Sequence, residues 1–126
     1  ILTHPNIFKV AIVGAPVTDW KLYDTIYTER YMGLLEDNEE GYAQSAVTTH
    51  AAKLQGKMFI AHSSMDENVH MQNTMQLVKA LTDEGNDADL RIYPPGAHGV
   101  AYNQTSYQLL YRTYSEYLDE HLKNAE

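Results

Sequence analysis

Three short apolar runs punctuate the chain: Val10-Ala11-Ile12-Val13-Gly14, Lys57-Met58-Phe59-Ile60-Ala61 and Leu90-Arg91-Ile92-Tyr93. The first two are nearly continuous in apolar character and too short for helices, the pattern of strands covered on both faces. Helical spacing follows two of the runs. Met71, Met75, Val78 and Leu81 recur at steps of four, three and three, and Gly85 stands where a helix stop belongs. Tyr107, Tyr111, Tyr114, Leu118 and Leu122 recur at steps of four, three, four and four, which predicts a stripe on one face of a terminal helix. Leu22 to Tyr31 and Glu40 to Val47 read as shorter helical pieces separated by a polar turn. Alternating strand and helix signals predict an α/β domain with a mostly parallel sheet. The first strand of so small a sheet is expected to lack a neighbour on one side.

Composition narrows the partners more than the fold. At 126 residues and 14.3 kDa the chain is one domain at most, with enough length to bury a core. Nine Lys and Arg against 17 Asp and Glu give a formal charge of −8. That field repels a phosphate backbone and anionic lipid, so neither nucleic acid nor a membrane surface is an expected partner. No stretch approaches the roughly 20 apolar residues of a membrane span, and the first residues do not resemble a signal peptide. The absence of cysteine excludes disulfides, thiolate chemistry and cysteine-based zinc sites while leaving the compartment open. Ile1-Leu2-Thr3-His4-Pro5 reads like the end of a helix entered midway, and a piece of a larger domain is expected.

In open α/β sheets, function gathers in loops beyond the carboxyl ends of strands. Here these are the loops after Gly14, Ala61 and Tyr93. The second contains His62-Ser63-Ser64-Met65-Asp66-Glu67-Asn68-Val69-His70 and the third Pro94-Pro95-Gly96-Ala97-His98-Gly99. Asp66 and His98, 32 residues apart, stand where the last two members of a Ser-Asp-His triad stand in α/β hydrolases. The chemistry needs an imidazole to take a proton from a serine hydroxyl and return it to the leaving group. It also needs a buried carboxylate to fix the imidazole tautomer. The same residues also fit plainer roles, Asp66 as a turn residue and His98 as a loop histidine. No Gly-x-Ser-x-Gly occurs; Gly41 and Ser45 have the wrong register, and Ser63 and Ser64 precede the Asp in its own loop.

Three blocks of sequence carry a family resemblance. Ala15-Pro16-Val17-Thr18-Asp19-Trp20, Tyr23-Asp24 and Tyr27-Thr28-Glu29-Arg30-Tyr31-Met32-Gly33 closely resemble the catalytic domain of dipeptidyl peptidase IV and its relatives in the prolyl oligopeptidase family. Asp66-Glu67-Asn68-Val69-His70 and His98-Gly99 match the same family, in order and with compatible spacing. The resemblance implies that residues 1–126 are the C-terminal portion of a single α/β-hydrolase catalytic domain. The nucleophile elbow and an N-terminal propeller domain would then lie outside the chain. Asp66 would be the triad acid and His98 the base. Asn68 would hold a substrate backbone carbonyl, and Val17, Trp20, Tyr23, Tyr27 and Val69 would wall the proline pocket. An aromatic box suits proline, which is compact, apolar and without an N–H. For Trp20, Tyr23 and Tyr27, ordinary core packing is the alternative reading.

By the same resemblance the parent would be a serine exopeptidase acting on peptides with a free N-terminus and Pro or Ala second, and the isolated chain would be inactive. No metal or organic cofactor is implied. A homodimer through the terminal helix and the segment around Ile92-Tyr93 is expected, as is a periplasmic, secreted or membrane-anchored parent. Two departures stand out: His62-Ser63-Ser64 where many relatives have His-Gly, and Leu34-Leu35 where they usually have Leu-Pro. Competing readings are another α/β hydrolase, such as an acylaminoacyl peptidase or esterase, and a non-catalytic self-associating piece. A metal site is weaker still, because His62 and His70 flank a loop without a clear third ligand.

Overall fold

The computed structural model describes residues 1–123. Three parallel strands, β1 (Val10–Gly14), β2 (Lys57–Ser63) and β3 (Asp89–Tyr93), lie in the order β1-β2-β3. Val10 pairs with Lys57 and Gly14 with Ala61, while Phe59 pairs with Asp89 and Ser63 with Tyr93. The apolar runs therefore mark all three strands, and β2 runs two residues beyond its apolar stretch because His62 and Ser63 are themselves fully buried. As expected, β1 is an edge strand among the described residues, and its Val10 to Val13 are only partly buried.

Helices cover both faces. α1 (Thr25–Met32) and α2 (Glu39–Ser45) fill the first crossover, together with short 3₁₀ turns at Trp20–Leu22, Leu35–Asp37 and Val47–Lys53. α3 (Gln72–Asp83) forms the second crossover and α4 (Gln104–Lys123) ends the described chain. Successive side chains of a strand point to opposite faces, and β2 divides the core accordingly. Met58 and Ile60 pack with Leu2, Ala51, Leu54, Leu77 and Leu81 on the α3 side. Phe59 and Ala61 pack with Tyr93, Val100, Leu110 and Tyr117 on the α4 side. Full burial of each large aliphatic side chain is worth about 1.5–3 kcal/mol, so this double-sided strand anchors the domain.

α3 stops as its sequence predicts. Gly85 takes φ 74°, its N–H reaches the Thr82 carbonyl, and the Asn86 N–H reaches that of Leu81. That is a Schellman closure, which favours glycine at the left-handed position. The faces of α3 and α4 are rotated from their predicted stripes. The inward residues of α3 are Asn73, Thr74, Leu77 and Leu81, whereas Met75 is largely exposed. The inward residues of α4 are Ser106, Leu110 and Tyr117, with Tyr114 packed edge-on against Phe59. Tyr107, Tyr111, Leu118 and Leu122 of the predicted stripe face outward. Apolar spacing finds Val78 and Leu81 of the inward α3 face, which pack in the core, and misses Asn73 and Thr74, because buried polar residues count against the true face in any hydrophobic pattern.

Candidate active site

The carboxyl ends of β2 and β3 bring Asp66 and His98 together. His98 Nδ1–H donates to Asp66 Oδ2 over 3.0 Å. This leaves the imidazole Nε2 as the acceptor available to a reacting hydroxyl. The Asp66 side chain is completely buried, while that of His98 is about half exposed, at 48%.

Asp66 owes its fixed position to the backbone of its own loop. Its Oδ1 accepts the N–H groups of Asn68 (3.0 Å) and Val69 (2.9 Å). Its Oδ2 also lies 3.2 Å from Nε2 of the buried His62. Burial pushes the carboxyl's pKa up, but the hydrogen bond from His98, the two backbone N–H groups and the His98 charge outweigh it. The net result lies below the usual aspartate value. A buried acid that stays ionised is what an imidazole partner requires.

The departure at His62-Ser63-Ser64 acquires a structural meaning here. Neither serine takes a left-handed backbone, and the Ser64 hydroxyl donates to the Pro94 carbonyl at 2.7 Å. The side chain thus ties the Asp66 loop to the His98 loop. Within the latter, the Gly96 N–H bonds to the Tyr93 carbonyl and the Val100 N–H to that of Ala97. A Cβ at Gly96 would stand 2.0 Å from the Val100 carbonyl oxygen, so this close approach admits only glycine without rearrangement. Val100 takes φ 66°, and Ala15, at the end of β1, φ 42°. These are the two non-glycine residues with positive φ among those described, and both lie in strand-end loops around His98, where backbone strain commonly gathers.

A cavity of about 280 Å³ opens beside His98, lined by Ala15, Val17, Trp20, Tyr23, Tyr27 and Val69. Three aromatic rings form one wall. Tyr23 and Tyr27 meet edge-on at 5.5 Å, and Trp20 lies 6.1 Å from each, stacked on Tyr27 and edge-on to Tyr23. Asp24 caps α1 by accepting the Tyr27 N–H at 2.8 Å, and Asp19 caps the preceding 3₁₀ turn by accepting that of Lys21. These caps aim the rings. The core-packing alternative for the aromatics does not describe them, because Tyr27 is 46% exposed and Trp20 and Tyr23 are only partly buried. Tyr23 Oη–H donates to Asn68 Oδ1 at 2.9 Å, which orients that amide and leaves its NH₂ to donate elsewhere.

All eight residues singled out in the sequence therefore meet in one place. Four supports escaped it. Thr18 and Asn73 clamp the aromatic segment to α3: the Thr18 N–H donates to Asn73 Oδ1 (3.0 Å) and the Thr18 hydroxyl to the Asn73 carbonyl (2.7 Å). His62 and Thr74 bond each other at 2.7 Å behind Asp66. Polar residues inside apolar segments were the available signal, since a buried polar side chain must find a partner. His62 and His70 do not converge, because His70 is exposed, and no group of three His, Asp or Glu among the described residues forms a metal site.

A parallel sheet with helices on both faces, and an Asp–His pair at its strand ends, defines an α/β-hydrolase fold. The chain belongs to the prolyl oligopeptidase family, whose model matches residues 1–125. It is 40% identical over 113 residues to the probable dipeptidyl-aminopeptidase B of Arthroderma gypseum, covering 88% of this chain and 12% of that protein. Human dipeptidyl peptidase 8 is 43% identical over 103 residues, covering 79% and 12%. The crystal structure of Porphyromonas gingivalis dipeptidyl peptidase 4 superposes with a TM-score of 0.89 at 37% identity, over 93% of this chain and 16% of that one. The chain thus spans less than a fifth of the length of these relatives. No helix among the described residues is long and apolar enough to cross a membrane.

Proposed function

We propose that this chain is the C-terminal portion of the catalytic domain of a serine exopeptidase that releases N-terminal dipeptides after Pro or Ala. The observation that carries the reading is the Asp66–His98 hydrogen bond at the edge of the aromatic cavity. A serine from outside these residues attacks the scissile carbonyl while His98 Nε2 takes its proton. His98 then returns that proton to the departing amine, and a water activated by the same nitrogen releases the dipeptide from the serine ester. Asp66 holds the tautomer and stabilises the imidazolium. Trp20, Tyr23, Tyr27, Val17 and Val69 receive the residue before the scissile bond, and the Asn68 NH₂ donates to a substrate carbonyl.

The aromatic walls suit a compact apolar residue, and the exclusion of larger side chains by shape belongs to the same proposal. Without the serine, residues 1–126 alone have no triad turnover. Dimerisation belongs to the same proposal: Tyr107, Tyr111, Leu118 and Leu122 stand exposed along α4, and Leu90 on β3 is also exposed. Tyr93 is buried under α4 and contributes to such an interface only by shaping it.

The test uses the whole enzyme, wild type and His98→Ala, on an unblocked Gly-Pro anilide, an N-acetylated aminoacyl anilide and a short-chain ester. Preference for the unblocked substrate, lost in the variant, is expected. Preference for the blocked anilide or the ester would move the activity to an acylaminoacyl peptidase or esterase. An active His98→Ala enzyme would remove the catalytic assignment altogether.

A further inference from the structure

His62 sits at the carboxyl end of β2 with no exposed surface, and its two ring nitrogens have different partners. Nδ1 lies 2.7 Å from the Thr74 hydroxyl on α3. Nε2 lies 2.8 Å from the Val69 carbonyl and 3.2 Å from Asp66 Oδ2. A carbonyl oxygen can only accept, so Nε2 must carry a hydrogen whatever the charge of the ring. That hydrogen is donated to the Val69 carbonyl, and Asp66 Oδ2 lies close beside it. The Thr74 hydroxyl can act as donor or acceptor and suits either form of Nδ1.

We infer that His62 is a positioning residue for the Asp66–His98 pair: its Nε2–H, held by the Val69 carbonyl, brings the positive end of a buried N–H dipole within 3.2 Å of Asp66 Oδ2. Asp66 Oδ1 takes two backbone N–H groups, Oδ2 takes His98 from the solvent side, and the His62 ring edge stands 3.2 Å from Oδ2 on the core side. With Oδ1 held by its loop alone, the carboxylate can still turn about that contact; His62 fixes the other oxygen. It also draws negative charge away from Oδ2, which tempers the pull of Asp66 on the His98 proton. Of the groups around His98, Asp66 comes from the loop after β2 and Tyr23 and Tyr27 from the aromatic segment, while His62 touches the pair only through Asp66.

The inference rests on the reading of Asp66 and His98 as a catalytic pair, but its test does not require turnover. Histidine imidazole NMR on the whole enzyme, with the His98 signal assigned by its loss in His98→Ala, follows His98 through its titration in wild type, His62→Phe and His62→Gln, with circular dichroism reporting whether each is folded. Phe keeps the ring volume and removes the donor. Gln keeps an N–H where Nε2 stands. In His62→Phe the His98 pKa is expected to rise, since the N–H dipole beside Asp66 Oδ2 is then gone and the carboxylate holds the His98 proton more strongly. In His62→Gln it is expected to stay near wild type. A folded His62→Phe whose His98 pKa is unchanged or lowered overturns the inference, even if peptidase activity still depends on His98. Should His62→Phe not fold, the wild-type tautomer decides. An Nε2–H resonance that moves as His98 titrates supports the role, and an Nδ1–H-only tautomer ends it.

Discussion

The two loops that supply Asp66 and His98 are built in opposite ways. The Asp66 loop is tied down by hydrogen bonds to the side chain itself, which is wholly buried and accepts from three donors, with His62 3.2 Å away on the core side. The His98 loop is tied down through its backbone, by the tight approach of Gly96 to Val100 and a strained φ at Val100, and leaves its side chain half exposed. The roles proposed for the two residues would account for the difference. An acid that must stay charged in a buried place needs partners for its charge, because an unpaired buried carboxylate would simply take up a proton. A base that must meet a hydroxyl and then a leaving amine needs an exposed edge and freedom for small displacements.

The comparison can be broken hardest at Asp66. Asp66→Asn is expected to reduce kcat/KM of the whole enzyme about 10³–10⁴-fold, through loss of the tautomer-holding charge. A smaller loss than tenfold would mean that His98 is oriented by its loop alone. On the other side, Gly96→Ala should destabilise the fold by about 2–3 kcal/mol in denaturant unfolding, because the new methyl meets backbone rather than a side chain that can move. A variant as stable as wild type would show that the Gly96–Val100 approach is slack.

The lowered pKa of Asp66 gives a pH dependence with a definite sign. Its folded value lies below the ordinary aspartate value of about 3.9. The stabilisation is therefore complete above that value and is lost as pH falls through the lower, folded one. The difference in denaturation midpoint between wild type and Asp66→Asn should accordingly shrink from pH 7 to pH 3. A constant difference would assign the loss to packing instead of charge. The smallest effect is expected at Ser64→Gly, which removes one exposed hydrogen bond and costs about 0.5–1.5 kcal/mol. Its sharper consequence should be faster backbone exchange confined to the His98 loop; uniform exchange across both loops would show that Ser64 does not link them.

How much was legible differs by layer. The strands could be read directly, since β1 begins and ends where its apolar run does and β2 and β3 extend theirs by no more than two residues. Asp66 and His98 were legible from their positions after strand ends, and the pocket residues from family resemblance. The inward faces of α3 and α4 were legible only in part, through Val78, Leu81 and Tyr114, because Asn73, Thr74 and Ser106 take buried positions that hydrophobic spacing assigns to solvent.

What the sequence determined by itself is local: which segments are extended and where Gly85 stops a helix. Each depends on residues within a few positions of one another, through backbone preference and nearest hydrogen-bond partners. What only the tertiary structure decided is how residues distant along the chain share one carboxylate. Three parallel strands carry their loops to one end of the sheet, and there His62, Asp66 and His98 meet through contacts that no spacing rule encodes. A buried polar group is satisfied by whichever partner the fold brings within about 3 Å, and that partner is fixed by packing.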